Sequence, residues 1–596
     1  MRHALLGLSF FVVVGCSSEA KEPEQPTVAS MPAMPDAECG RGTMTTLGEG
    51  ECTPVGVEAC PKGFARTEDG YGCSAIKTAD LCTGDARAKI GNASCVTVGD
   101  CDSYFPPSKN VFAVVYDSQE LASAIERAQS GDTIALQDGT YDGVEIKDKD
   151  LKLVGRCPGK TIIGGTGLRG VLAQGKAHVS IEGVTIRGPK GALVSVHGAM
   201  LDVTKTVITD VLYGLTVENA RIDISDSVIE GRSGGQGQGG LIAKNDGEIV
   251  VRDSELRDWD AAARALDRGK ITFERSVISD AGHKRGLTKL LGVYSDGRIT
   301  VKESGVYAFH PQTVFAQVSR SLEGIVKDEN APAGTVRFEN SELAKPDFED
   351  PSWLVGAHQG GRLEVEGTTI RHRADTAFDI RDPETRATFK GSAIISAARE
   401  GVIHNGIATL AGAHSEVESV AFVSPSSTAC FVGDEGSELR FTRSLVTKMK
   451  SGSEASAIVS DRASSVIIEA SSFTEGRGWA VLGNAGSRVQ IDRTLFDGSG
   501  VLVGGTATLA MSDSVVRHAP EALIAVFGRG VVTDSFIVDN EIAVHLDYKS
   551  TLLETNGEPP IPADGQLILV RTQLAGNKEK ISEKPTHLYK EEAPSL

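Results

Sequence analysis

Leu201-Asp202-Val203, two polar residues, then Thr206 and Ile208 form a phrase that returns as Ile222-Asp223-Ile224 with Ser227 and Ile229. It returns again as Ile249-Val250-Val251 with Ser254 and Leu256, and as Ile271, Phe273, Ser276 and Ile278. Apolar residues spaced by two lie on one face of a strand, and the polar pair after them marks a bend. Further copies begin at Ile299, Val336, Leu363, Leu439, Val466, Val489 and Leu567. With weaker copies there are about sixteen units, spaced roughly 20 to 37 residues apart. One such unit cannot bury its apolar face alone. Stacked as coils, with parallel strands about 4.8 Å apart, the units share one apolar column. The expected fold is therefore all-β, a right-handed single-stranded parallel β-helix solenoid over 110–576, roughly 80 Å long. A propeller blade needs four strands in about 40 residues, and a leucine-rich repeat needs a fixed leucine ladder with asparagine. The sequence has neither.

Upstream of the repeat, Leu121-Ala122-Ser123-Ala124-Ile125 with Ala128 reads as a short amphipathic helix closed by Gly131-Asp132. Thr133-Ile134-Ala135-Leu136, Asp138-Gly139-Thr140-Tyr141 and Val144-Glu145-Ile146 follow. This stretch resembles the N-terminal cap and first coil of pectin-lyase-like parallel β-helices. The resemblance implies a capping helix and the same coil. It implies no single activity, because such rods host lyases, hydrolases, esterases, tail spikes and adhesins.

Charged residues at 24% and hydrophobic residues at 40% of the 596 fit a folded chain. With 67 glycines and only 5% aromatics, many tight turns are expected rather than an aromatic-rich core. The formal net charge of -19 argues against nucleic acid and anionic lipid as partners, and disfavours polyanionic sugars.

Met1-Arg2-His3 and the apolar run Ala4 to Val14 read as an export signal over 1–15, too short to span a bilayer. The run ends Val13-Val14-Gly15-Cys16, which resembles the lipobox of bacterial lipoproteins. That resemblance implies that Cys16 is acylated and anchors the chain in a membrane. Ser17 in place of Asp implies the outer membrane, with the folded part facing the surface or the periplasm. Residues 16–38, rich in Ser, Glu, Pro and Ala, read as a flexible tether.

Cys39, Cys52, Cys60, Cys73, Cys82, Cys95 and Cys101 crowd one segment. It reads as a compact disulfide-rich module over 39–105, and Cys157 is the expected eighth partner. Eight cysteines allow about 105 connectivities, and the sequence does not choose among them. Zinc is disfavoured because no CxxC pair occurs and no histidine lies among these cysteines. Cys430 is left as a buried free thiol. A charged tail, 577–596, covers or leaves the last coil.

Catalytic signatures are sparse. Gly139-Thr140-Tyr141 resembles pectin methylesterases, but their downstream aspartates and arginine are not found. Polygalacturonases need adjacent aspartates, and no Asp-Asp pair occurs. The widest excursions between coils fall at 231–247, 282–297, 307–335 and 344–361, where function usually rides. The glycine-rich run 234–240 lacks the Gly-Lys-Ser/Thr ending of a phosphate loop, and His404-Asn405 fits no Ser/His/Asp order. Weak catalytic candidates are Asp258, Asp280, Arg371 and His372. Weak binding candidates are Trp259 as a sugar-stacking ring and the basic residues His283, Lys284, Arg285 and Arg373. Ordinary turn residues are the competing explanation for most of them. No cofactor is implied; calcium between stacked carboxylates remains open, but the RTX nonapeptide is absent.

Three readings follow. The first is a noncatalytic surface lipoprotein whose rod binds a glycan or an envelope protein. The second is a polysaccharide lyase or glycoside hydrolase of unrecognised subtype, with a site joining Asp258, Asp280, Arg371 and His372. The third is a spacer in an envelope assembly.

Overall fold

Each copy of the phrase folds as a strand, a corner and a second strand. Arg221–Ser225 and Val228–Gly231 flank one corner, where Asp226 adopts φ 48°. Lys205, Asp253, Arg275, Glu303 and Asn340 hold the same left-handed conformation at φ 46–49°, which polar residues with short or flexible side chains tolerate. The Ser or Thr of each phrase follows directly and is buried. The amide of Ser227 donates to Ser254 Oγ at 3.1 Å, that of Ser254 to Ser276 Oγ at 3.3 Å, and that of Ser276 to Ser304 Oγ at 2.9 Å. Ser254 Oγ in turn donates to the Arg252 carbonyl at 2.7 Å. The hydroxyl ladder thus satisfies turn groups that stacking removes from water.

The computed structural model describes residues 30–582 apart from 36–37, 80, 107–109, 165–168, 189, 233–238, 281–287, 309–312, 321–331, 346–352, 397–404, 426, 450–455, 477, 548–550 and 556–564. The export signal, Cys16, most of the tether, His283-Lys284-Arg285, His404 and the tail beyond 582 lie outside the described residues.

The coils form a right-handed parallel β-solenoid of about 16 turns. Three parallel sheets run its length. Sheet I carries the first apolar pair of each phrase, with Leu201, Ile222, Ile249 and Ile271 in register. Sheet II carries the final apolar residue, with Ile208, Ile229, Leu256 and Ile278 in register. Sheet III, strands such as Tyr213–Glu218 and Gly239–Lys244, closes each coil and holds 18 strands. Inward residues form one column from Val115 to Leu569. Like side chains stack along it: Phe422, Phe441, Phe473 and Phe496 have successive ring centroids 5.8, 5.8 and 5.1 Å apart. Cys430 is a fully buried free thiol in this column, and burial pushes its pKa well up.

The helix Ser118–Arg127 covers the first coil with buried Leu121 and Ala124. Asp117 accepts the Glu120 amide, and Glu120 reaches back to the Tyr116 amide at 2.8 Å, a reciprocal cap.

The cysteine-rich segment differs from the compact module expected. Cys39–Cys52, Cys60–Cys73 and Cys82–Cys95 each close a separation of 13 residues around a small antiparallel hairpin. These three hairpins lie in a row as a strap on the outer face of sheet II, and Cys101–Cys157 ties the strap to the first coils. Leu47 packs on Leu495, Val515 and Phe536, while Met44, Val55 and Tyr71 pack on Ala393, Ala421 and Leu445. Phe64 and Ile90 share a cluster with Val277 and Tyr307, and Val98 meets Val207 and Val228. The strap therefore runs against the order of the coils, over thirteen strand spacings or about 60 Å. A segment this poor in apolar residues cannot build its own core, so it borrows one. Polar clamps fix it in place. Glu255, 4% exposed, accepts the Ala88 amide at 2.7 Å, and Arg257 donates to the Cys82 and Gly84 carbonyls at 2.7 and 3.0 Å. Burial raises the Glu255 pKa despite Arg257 beside it.

Candidate functional site

With the strap on sheet II, two faces of the rod remain. Sheet I is covered by ion-pair ladders, such as Asp223 between Arg221 and Arg252, with Arg252 reaching Glu274 at 2.9 Å. Exposed pairs of this kind keep a face solvated and contribute little stability.

Sheet III is different. Its outward central row reads Leu172, Val194, Thr216 and Ile242 at one end, and Phe431, Val459, Leu482, Leu502 and Ile524 toward the other. Between them the row turns to Arg264, Gly292, Gln317, Gly356 and Asp379. This polar break falls where the excursions between coils are longest. Gly356 sits between Gln317 and Asp379, and its missing side chain lets the Trp353 and His358 rings close over the backbone. A Cβ there would lie 2.6 Å from Trp353 Cζ3 and 2.8 Å from His358 Nε2. The Trp353 and His358 rings stand 5.6 Å apart, tilted by 45°.

Asp379 is 2% exposed. Arg381 Nε donates to its Oδ1 at 2.8 Å, and His358 Nε2 stands 3.6 Å from its Oδ2, beyond hydrogen-bond range. Asp379 Oδ2, His358 Nε2 and Gln317 Oε1 are all buried without a hydrogen-bond partner. Three such atoms cluster around one glycine, where buried polar groups are ordinarily paired. Burial holds the His358 pKa below its ordinary value, against the pull of Asp379. The imidazole is therefore neutral near pH 7 and can accept or donate. A half-buried indole beside a carboxylate, a guanidinium, an amide and a neutral imidazole suits a polyhydroxylated ring: the indole stacks on C–H faces and the polar groups take hydroxyls.

The residues anticipated from sequence do not converge. Trp259 is corrected outright as a binding ring: it is 2% exposed, lies in the core column, and donates Nε1 to the Ile229 carbonyl at 3.1 Å. Gly231 and Gly240 make room for its indole, with Cβ positions 3.2 and 3.1 Å from Cδ2. Asp258 adopts φ 64° after the strand Glu255–Arg257, as a turn residue does. Asp280 and His372 occupy one corner row, 4% and 1% exposed, but Asp280 lies opposite Ala308 and His372 opposite Lys345. They are three strand spacings apart, about 14 Å. Arg371 points outward from sheet II, with Nε 3.8 Å from Glu342 Oε1 beside the strap. Arg373 is half-buried beyond that strand. Among the described residues, these side chains form no shared groove, and no group of three or more His, Cys, Asp or Glu side chains could hold a metal ion.

The sequence held a signal for the sheet III site. Trp353 sits in the 344–361 excursion. The positions that matter beside it, Gln317 and Asp379, stand where the same row elsewhere carries Ile242, Val459 or Leu482.

No protein-family model matches the chain, and no curated protein does. Among solved structures, the chain is similar to the catalytic unit of a thermostable GH87 α-1,3-glucanase from Streptomyces thermodiastaticus strain HF3-3, at 14% identity and TM-score 0.39, over 61% of this chain and 65% of that one. It thus spans just under two thirds of that enzyme's unit. The PL6 family alginate lyase AlyGC gives 10% identity and TM-score 0.20, over 79% of this chain and 99% of that one. The A-module of the Azotobacter vinelandii mannuronan C-5 epimerase AlgE6 gives 14% identity and TM-score 0.22, over 71% and 94%.

Proposed function

We propose that the chain is an exported surface lipoprotein whose β-helical rod binds a glycan at the polar break of sheet III. The observation that carries this reading is the cluster at Gly356, where the half-buried Trp353 stands beside the partnerless polar atoms of Gln317, His358 and Asp379. In this reading the lipobox-like Cys16 supplies the membrane anchor. The tether 16–38 then joins the anchor to the strap.

The lyase or hydrolase reading draws on one feature, the neutral His358 beside Asp379, which could move a proton. One experiment separates the two readings. Purified protein is exposed to an array of bacterial and plant glycans, and binding is read together with new reducing or unsaturated ends. Binding without new ends is the expected result. New ends that disappear in Asp379→Asn would replace binding with catalysis at the same site.

A further inference from the structure

Where the first disulfide hairpin lies over sheet II, roof and floor meet at Met44 and Leu445 but not throughout. A cleft of about 470 Å³ remains between Met34 and Met44 of the strap and Leu445, Leu495 and Glu475 of the coils, with Tyr71 in its lining. This volume lies within the range of small-molecule sites. Tyr71 is 8% exposed and its ring packs with Ala421 and Leu445, while its amide is bound by Asp69 at 2.9 Å. Its hydroxyl has no hydrogen-bond partner among the described residues. The ring is buried while the hydroxyl opens into the cleft, where a ligand can reach it. Burial, then the carboxylates of Glu475 and Asp69, raise the Tyr71 pKa, so the hydroxyl stays protonated and keeps its oxygen lone pairs for a donor.

The charges around the cleft are unequal. Asp497 is occupied by Arg517 and by His518 Nδ1, both at 2.7 Å. Among the described residues Glu475 accepts one long 3.4 Å bond, from the Thr447 hydroxyl, and both Glu475 and Glu38 on the rim are exposed. The nearby Arg41 lines an adjoining cleft, where it donates to the Glu68 carbonyl. The net field is negative, yet no group of side chains among the described residues could hold a bare metal ion. Two thioethers and two leucines supply an adaptable apolar wall.

We propose that this cleft binds a small organic ammonium, its methylene body against Met34, Met44, Leu445 and Leu495 and its cationic head between the Tyr71 hydroxyl and the Glu475 carboxylate. The site is on sheet II and stands independently of the glycan reading.

Calorimetric titration of the full chain with n-pentylamine tests it, with pentan-1-ol and pentanoate as neutral and anionic comparators. Saturable binding of the amine alone is expected. Tyr71→Phe, which keeps the packed ring, and Glu475→Gln should each weaken it tenfold or more without lowering the melting temperature. The absence of saturable heat with the amine, equal binding of the alcohol, or unchanged affinity in either variant would overturn the proposal.

Discussion

The main-chain amide of Ala75 donates to Glu342 Oε2 at 2.9 Å, across 267 residues of sequence. The same carboxylate accepts Ser74 Oγ and the Tyr307 hydroxyl, both at 2.9 Å, and it is 3% exposed. One buried side chain of the rod therefore satisfies two donors of the strap and one of its own sheet.

Glu342→Ala should cost about 3 to 5 kcal/mol, because it leaves buried donors unpaired. The loss should be local. Hydrogen exchange is expected to rise at 73–77 while the sheet I amides of the same coils stay protected. Uniform loss of protection along the rod would mean that the strap is integral to coil stacking.

Among the four bridges, Cys101–Cys157 should matter most. Its separation of 56 residues exceeds the 13 of the other three. Chain entropy then assigns about 4 kcal/mol to it and about 3 to each short loop. Urea denaturation of the paired Cys→Ser variants should show that order. A larger loss from any hairpin bridge would contradict it.

His358 should make stability fall in mild acid. Its folded pKa lies below its ordinary value of 6.5 because burial disfavours the charged ring. The unfolded chain then binds more protons, so this contribution is complete above about pH 6.5 and drains away as pH falls toward the folded pKa. The comparison is with His358→Gln, which leaves every other titrating group in place. Urea midpoints at pH 7.5 and 5.5 should differ more in the wild type than in the variant. Equal differences would mean that His358 titrates as it does in water.

Gly356→Ala tests the packing of Trp353 over the glycine. The added methyl would fall 2.6 Å from Trp353 Cζ3, so the indole must move. Tryptophan emission should shift and glycan binding should fall tenfold or more, with the melting temperature nearly unchanged because Trp353 is half-buried. Unchanged binding with a shifted indole would remove Trp353 from the site.

The solenoid was legible because Leu201, Ile222, Ile249 and Ile271 repeat a period-two pattern, and because the residue before each Ser or Thr tolerates a left-handed corner. The capping helix was legible from its apolar face. The strap was not. Its cue was the matched spacing of three cysteine pairs together with adjacent apolar residues such as Val207-Ile208 and Val228-Ile229. Neighbours on a strand face opposite ways, so one of each pair had to find cover outside the column. Trp259 beside aspartates looks like a sugar platform in the sequence, because Gly231 and Gly240, which admit its indole to the core, lie one coil away. Gln317, Gly356 and Asp379 are separated by long excursions, and only strand register puts them in one row.

The most direct test of the central claim is the affinity of wild type and Trp353→Ala for the best-bound glycan of the array, by calorimetry on samples with matched melting temperatures. Saturable binding by the wild type and at least a tenfold loss in the variant are expected. A rod that binds no glycan, or one that binds equally well without Trp353, would contradict it.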